Sequence, residues 1–379
     1  MKLEKLLEHV SYQILQGSTD VEVKNVINDS RKAEEGSLFF CIKGAVSDGH
    51  KFVPDVVAKG AKVLVVQDPV EAPADVTVVQ VEDTRYAMAL ISAAYFDYPA
   101  NEMKIIGITG TKGKTTTTYM VKSILESAGY KVGLIGTIEV IIGDEVIPAQ
   151  NTTPESYTIQ EYFRKMADAG CQIVVMEVSS QGLMLHRTAG IPFEIGIFTN
   201  LEPDHIGPAE HSSFEDYMEC KSRLFRQCRL GIVNADDMHL EGILKGHTCE
   251  VESFGISREA GLCAENLQLV TRPGYLGIAY KVCVKGKEEE SFDVEIDVPG
   301  KFSVYNSLTA IAICRHFNVA QEDIKKALKT ARVKGRVEMV KVSDAFTLMI
   351  DYAHNAMALE SLLTTLKEYN TESDRKSVV

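Results

Sequence analysis

The segment from Lys104 to Thr118, KIIGITGTKGKTTTT, is the part of the chain that most restricts its fold. An isoleucine-rich run is followed by Gly110 and Gly113, then by Lys114 and four threonines. This order predicts a buried strand, a glycine turn and the start of a helix. The backbone N–H groups of such a glycine turn can close around phosphate oxygens. The helix N-terminus and Lys114 add positive charge, and a threonine hydroxyl can reach a phosphate-bound Mg²⁺.

The segment departs from the strict G-x-x-x-x-G-K-[ST] pattern, because Ile108 stands where the first glycine belongs. We therefore interpret it as a variant P-loop. The plainer alternative is a glycine turn that joins a strand to a helix in any α/β domain.

Composition excludes several classes of protein. The chain has 379 residues, enough for two or three domains. Its net charge of −13 argues against a nucleic-acid scaffold, and no apolar run is long enough to span a membrane. The N-terminus lacks a secretory apolar region, and the eight cysteines are scattered without a C-x-x-C pair. We expect reduced thiols and a cytoplasmic location.

The pattern along the chain predicts an α/β fold with three domains. Residues 1–100 read as a small α/β unit, and in residues 101–334 apolar strands alternate with helices. That alternation predicts a mainly parallel sheet covered on both faces. Within it, residues 249–298 read as an antiparallel hairpin region. Residues 335–379 are too few for a two-sided core, so we expect the incomplete start of a third domain.

Several polar residues follow predicted strands of the central unit. Glu177 ends an apolar strand, where a carboxylate can hold Mg²⁺ or form an ordinary ion pair. His205 follows another strand and could ligate a cation or serve as a structural hydrogen-bonding group. His211 reads as a solvated loop residue. Lys221, on a predicted helix over 214–225, reads as a solvated charge.

Other candidates lie in turns. Thr152 and Thr153 precede a helix and could simply cap it, while Ser179 and Arg187 could touch an anionic substrate. Further along the chain, Asn306 could be a helix cap or contact a nucleotide base, and Arg336 could clamp a phosphate or form an ion pair. Asp351 and His354 lie at a predicted strand end.

Taken together, these segments resemble the Mur ligases, ATP-dependent enzymes that form amide bonds of the peptidoglycan peptide. The motifs that carry the resemblance are GITGTKGKTTT, NTTP, MEVSSQGL, FTNLEPDH, YMECKSRLF, YNSLTAI, GRVE and DYAHN. NDSRKAEEGSLFFCIKG and SSQGLMLHR are similar to the MurE branch, which adds the third amino acid to UDP-N-acetylmuramoyl-L-Ala-D-Glu. The resemblance implies a Mur ligase architecture: an N-terminal UDP-substrate domain, a central ATP-binding domain and a Rossmann-like C-terminal domain.

The resemblance also implies roles for single residues. It assigns ATP to Gly110, Thr111, Gly113, Lys114, Thr115, Thr116, Asn306, Arg336, Asp351 and His354. It assigns Mg²⁺ to Thr115, Glu177, His205 and Lys221, the last carbamylated and therefore not a solvated cation. It assigns the UDP-muramoyl peptide to Ser30, Thr152, Thr153, Ser179 and Arg187. The catalytic set is Lys114, Lys221, His205 and Arg336.

Departures from the family pattern keep alternatives open. Ala356 stands where the family usually has a proline. The resemblance also implies that the region selecting meso-diaminopimelate or L-lysine belongs to the incomplete third domain, so we expect that these 379 residues do not reveal which amino acid is added. The chain could be a MurF-type or folylpolyglutamate-type ligase, or a defective fragment that only binds nucleotide and UDP-substrate. The expected partners are the muramoyl dipeptide and an amino acid, with no nucleic acid, and the expected state is a monomer.

Overall fold

The computed structural model describes residues 1–44, 47–208, 210–257, 259–272, 275–340, 342, 348–353 and 356–369. Within this described part, no helix combines the length and apolar character needed to cross a membrane.

The first unit is a five-stranded sheet between helices. Its elements are α1 (Leu3–Leu6), β1 (Gln13–Gln16), β2 (Asn25–Ile27), β3 (Ser37–Phe40), α2 (Val53–Ala58), β4 (Val63–Val66), β5 (Thr77–Gln80) and α3 (Thr84–Tyr95). The strand order is β1-β5-β4-β3-β2, parallel except for β1. Every residue of β3 and β4 is buried, because α1 and α3 cover one face and α2 the other.

The central unit is built on an eleven-stranded sheet. Its strands are β6 (Lys104–Thr109), β7 (Val132–Ile135), β8 (Glu139–Ile142), β9 (Glu145–Pro148), β10 (Ile173–Glu177), β11 (Phe193–Phe198), β12 (Cys228–Asn234), β13 (Glu250–Gly255), β14 (Leu262–Arg272), β15 (Tyr275–Val284) and β16 (Phe292–Ile296). Its helices are α4 (Lys114–Ser127), α5 (Ser156–Asp168), α6 (Ser180–Met184), α7 (Phe214–Ser222), α8 (Leu240–Ile243), α9 (Lys301–Cys314) and α10 (Gln321–Thr330).

The order of this sheet is β16-β15-β14-β13-β12-β11-β6-β10-β7-β8-β9. Its middle is parallel, as predicted, with the P-loop strand β6 between β10 and β11. One apolar core lies under α4, α9 and α10, and a second lies under α5 and α7. The site residues that follow β6, β10 and β11 therefore meet at one edge of the sheet.

Two predictions for this unit were wrong in part. The expected antiparallel region begins later than residue 249, because β13 still pairs in parallel with β12 and β14, and only β14–β15–β16 are antiparallel. The helix expected over 214–225 ends at Ser222 and continues as a 3₁₀ turn to Arg226.

The last segment contains two short antiparallel strands and a helix: β17 (Glu338–Val340), β18 (Leu348–Ile350) and α11 (Ala356–Glu368). The buried Tyr369 fixes the end of α11 against the central unit, since its hydroxyl donates to the Gly277 carbonyl at 2.7 Å and lies 3.4 Å from the Gly300 N–H.

Candidate active site

The turn between β6 and α4 has the backbone shape that its glycines predict. Gly113 adopts φ +86°, and a Cβ there would come within 2.4 Å of the Asn306 Oδ1. A larger residue would meet both the left-handed backbone penalty and this side chain. Asn306 lies inside α9 and packs on the turn, so the alternative that it starts and caps that helix was wrong.

Lys114 folds back into this turn. Its Nζ donates to the carbonyls of Gly110 at 2.9 Å and Thr111 at 3.0 Å. Loss of hydration around the ammonium lowers its pKa, and the positive charge of Arg336 lowers it further. An anion that enters the turn would restore a favourable environment for the charged lysine.

Lys221 approaches the same turn from α7. Its side chain is 1% exposed, its Nζ donates to the Gly110 carbonyl at 2.9 Å, and it lies 4.4 Å from the centre of the Tyr217 ring. The plain expectation of a solvated charge was therefore wrong. Burial, followed by the nearby Lys114, holds the pKa of Lys221 well below its usual range. A buried amine of this kind is neutral more readily than an ordinary lysine, and a neutral amine can react as a nucleophile.

Glu177 ends β10 as a fully buried carboxylate. One oxygen accepts from the Thr137 N–H at 2.8 Å, and the other accepts from the hydroxyls of Thr137 at 2.9 Å and Thr115 at 3.1 Å. These are neutral donors, and Glu177 forms no ion pair with another described residue. A buried carboxylate beside hydroxyl oxygens is a fitting environment for a hard divalent cation such as Mg²⁺.

Thr152, Thr153 and Ser179 surround the end of β10. The Thr153 hydroxyl donates to the Glu177 carbonyl and accepts from the Ser179 N–H, both at 2.9 Å. The Thr152 hydroxyl lies 3.1 Å from that of Thr137. Neither threonine caps α5, whose N-cap position is Glu155, so the capping alternative was wrong. Ser179 instead caps α6 through the Gly182 N–H.

Arg187 is held by two acceptors. Its guanidinium donates to the Thr153 carbonyl at 2.9 Å and to a Glu155 oxygen at 2.7 Å. The other Glu155 oxygen accepts from Arg85 of α3 at 3.1 Å, so this carboxylate links the first unit to the site. The Arg187 Nε is buried and has no hydrogen-bond partner within the described chain, which leaves a charged donor for an anionic ligand.

A cavity of about 200 Å³ brings part of this set together, while Glu177 and Lys221 lie outside its lining. Six of the predicted residues line it: Lys114, Thr152, Thr153, Ser179, Arg187 and His205. His205 is exposed, adopts φ +54°, and places its Nδ1 2.9 Å from Glu210. The phosphate-binding turn therefore opens onto the same space as the hydroxyls and the arginine, which suits a phosphoryl transfer to an anionic acceptor.

His211 also lines this cavity, and its expected solvation was wrong. The side chain is 1% exposed, and its Nε2 lies 2.9 Å from the Ser180 hydroxyl. The local sequence carries no signal for this burial, because the packing partners come from α6 and α7.

The remaining candidates lie outside the cavity lining. Ser30 begins a 3₁₀ turn in the first unit, beside Asp29, whose hydrogen bonds with Arg31 lower its pKa to about 2. The Arg336 guanidinium lies 4.9 Å from the Tyr352 ring centre. The Asp351 carboxylate accepts from the N–H groups of Val337 and Ala353, both at 2.8 Å. His354 lies outside the described residues.

Comparisons with known proteins agree on one family. The family described as "Mur ligase middle domain" matches residues 108–314, and "Mur ligase family, catalytic domain" matches residues 22–96. The UDP-N-acetylmuramoyl-L-alanyl-D-glutamate--2,6-diaminopimelate ligase 1 of Clostridium acetobutylicum is 43% identical, over 97% of this chain and 75% of its own length. The corresponding ligase of Clostridium perfringens is 41% identical, over 97% and 76%.

Solved structures share the fold. A UDP-N-acetylmuramoyl-L-alanyl-D-glutamate--2,6-diaminopimelate ligase superposes with a TM-score of 0.82 at 22% identity, covering 97% of this chain and 74% of the other. A MurF from Acinetobacter baumannii gives 0.64 at 23% identity, covering 97% and 76%.

Proposed function

The chain belongs to the Mur ligase family, and from that premise we propose that it joins 2,6-diaminopimelate to UDP-N-acetylmuramoyl-L-alanyl-D-glutamate. The relatives that are 43% and 41% identical carry that activity in their names, and the chain is accordingly an ATP-dependent ligase of peptidoglycan synthesis. The observation that carries the proposal is the cavity in which Lys114 of the P-loop faces Thr153, Ser179 and Arg187.

The reaction activates a carboxylate. The γ-phosphoryl group of ATP passes to the D-glutamate carboxylate, which releases ADP and forms an acyl phosphate. The amine of the amino acid then attacks the acyl carbon, the tetrahedral intermediate expels inorganic phosphate, and an amide remains. Lys114 offsets the repulsion between the two anionic reactants, and Arg336, whose charge reaches Lys114, would add to this.

Mg²⁺ is the cation we propose for this site. Thr115 and Glu177 would hold one ion, and His205 with carbamylated Lys221 would hold another. The bound ions would polarise the phosphoryl oxygens. The chain's own residues orient the acceptor: Thr152, Thr153, Ser179 and Arg187 would bind the muramoyl peptide, and Ser30 its uridine end.

The assignment of parts to domains belongs to the same proposal. Residues 1–100 would bind the UDP end and residues 101–334 ATP, and residues from 335 would begin the domain that binds the amino acid. Arg336, Asp351 and His354 of that segment, with Asn306 of the central unit, would act on the nucleotide. ATP and UDP-linked sugars are cytoplasmic metabolites, so we propose a cytoplasmic enzyme. The monomeric state stays a prediction.

Replacement of Lys114 tests this function. We expect Lys114→Ala to lower muramoyl-peptide-dependent phosphate release by about 10³-fold or more, because it removes the cation beside the transferred phosphoryl group. Lys112→Ala is the matched control, since Lys112 lies in the same turn but pairs with Glu202 at 2.6 Å. Near-normal turnover of Lys114→Ala would contradict the assignment. Comparing diaminopimelate with L-lysine as the acceptor amine tests the amino acid.

A further inference from the structure

A second cluster of metal-binding side chains lies behind the cavity, on α7 and the loop before it. His211, Asp216 and Cys220 each offer one ligand atom, and these three atoms lie within 4.8 Å of one another. Asp216 and Cys220 are four residues apart on one face of α7, and the Cys220 Sγ is 3.6 Å from an Asp216 oxygen. His211 and Cys220 are buried, and Asp216 is partly exposed.

The imidazole of His211 has an unsatisfied nitrogen that points into this cluster. Its Nδ1 is buried without a hydrogen-bond partner in the described part of the chain. The nearest Asp216 oxygen, 3.6 Å away, already accepts from the N–H and hydroxyl of Ser212. Asp216 therefore does not form a hydrogen bond with the His211 Nδ1. A buried polar atom without a partner indicates that a ligand binds there.

The other ring nitrogen is already arranged as metal-bound histidines require. The His211 Nε2 lies 2.9 Å from the Ser180 hydroxyl, which can accept its proton and leave Nδ1 as the free lone pair. One Asp216 oxygen lies 3.6 Å from the His211 Nδ1 and the other lies 3.6 Å from the Cys220 Sγ, so the carboxylate stands between the imidazole and the thiol.

We propose that His211, Asp216 and Cys220 form a site for a zinc-class divalent cation, distinct from the Mg²⁺ ligands at the P-loop. Imidazole, carboxylate and thiolate together select a borderline-soft ion such as Zn²⁺ over Mg²⁺. The Cys220 thiol releases its proton to solvent when the ion binds, and water fills the fourth position. The ion can enter from the cavity, which His211 lines.

Cobalt substitution tests this site independently of ligase activity. The purified chain, stripped with a chelator, is titrated with Co²⁺, and we expect thiolate-to-cobalt charge-transfer absorption at one equivalent, which Zn²⁺ abolishes. Cys220→Ala should remove this absorption and weaken Zn²⁺ binding by at least tenfold. Cys314→Ala, which changes another buried free thiol, should leave both unchanged.

A second variant distinguishes loss of the metal site from loss of folding. Asp216→Asn changes a partly exposed side chain, and we expect it to weaken Zn²⁺ binding about tenfold while the chelated protein unfolds at the wild-type temperature. Absence of the charge-transfer absorption in the wild-type chain, or its persistence in Cys220→Ala, would overturn the proposal. Either result would leave Mg·ATP binding at Lys114 untouched, so the two proposals fail separately.

Discussion

Two lysines at one carbonyl oxygen set the electrostatics of the site. Lys114 and Lys221 both donate to the Gly110 carbonyl; loss of hydration lowers the pKa of each, and the charge of Lys114 lowers the pKa of Lys221 further. Two ammonium groups on one carbonyl oxygen, one of them fully buried, are unfavourable until one is neutralised. Carbamylation of Lys221 by CO₂ would do so, because it replaces a cation with an anion beside Lys114.

We predict that Lys221 carries this carbamate. Because its pKa is lowered, a larger fraction of Lys221 than of an ordinary lysine is the neutral amine that reacts with CO₂, and acidification should release the group as the amine regains a proton. Incubation with ¹³C-bicarbonate should give one slowly exchanging carbamate resonance in the NMR spectrum. The Lys221→Ala variant should lack it and be inactive, with partial rescue by short-chain carboxylic acids.

Lys122→Ala, on α4, is the control for this experiment, because Lys122 forms an i,i+4 ion pair with Glu126 of the same helix. It should keep both the resonance and the activity. Full activity of Lys221→Ala without added acid would rule out the carbamate.

Gly113 and Gly129 form a matched pair at the two ends of α4. Both are left-handed, at φ +86° and +89°, but a Cβ at Gly129 would meet nothing within 4 Å. We expect Gly129→Ala to lower the free energy of unfolding by about 1 kcal/mol, the cost of the backbone conformation alone. Gly113→Ala should cost at least about 2 kcal/mol and abolish ATP binding, because Asn306 must also move. Urea unfolding and calorimetric titration with Mg·ATP measure these effects, and equal costs would contradict the close-contact argument.

At the scale of elements, the site depends on loops that follow three adjacent strands. Sequence alone identified β6, α4 and the residues after β10, because glycine turns and apolar runs are local signals. It did not identify the burial of Lys221, whose partner Gly110 is 111 residues away. The edge hairpin β8–β9 was also missed, although Gly143-Asp144 between apolar residues is a hairpin signal.

Glu155, the N-cap residue of α5, positions an arginine of the cavity and connects it to the first unit. It holds Arg187 on the cavity side and Arg85 of α3 on the other. We predict that Glu155→Ala raises the KM for the UDP-muramoyl dipeptide about tenfold with a smaller change in kcat, because Arg187 loses its fixed orientation. Steady-state kinetics with saturating ATP measures both constants.

Glu161→Ala provides the comparison, since Glu161 lies on the same helix but pairs with Lys165 of that helix. Its KM should stay within a factor of two of the wild-type value. An unchanged KM in Glu155→Ala would mean that Arg187 does not need this carboxylate.

At the scale of the whole molecule, we propose that catalysis needs the segment after residue 334 to stay docked, because the charge of its Arg336 reaches Lys114. Tyr369 is a buried residue that joins the end of α11 to the central sheet. Tyr369→Phe would leave the Gly277 carbonyl buried without this donor, at a cost of about 1–3 kcal/mol of stability.

We therefore predict that amide exchange across α11 accelerates about tenfold or more in Tyr369→Phe, while exchange in β6 and α4 is unchanged. Hydrogen–deuterium exchange measures this directly, with the exposed Tyr12→Phe as control. Because loosened docking also withdraws Arg336, phosphate release should fall together with the protection of α11; a loss of protection without a loss of rate would separate this segment from catalysis.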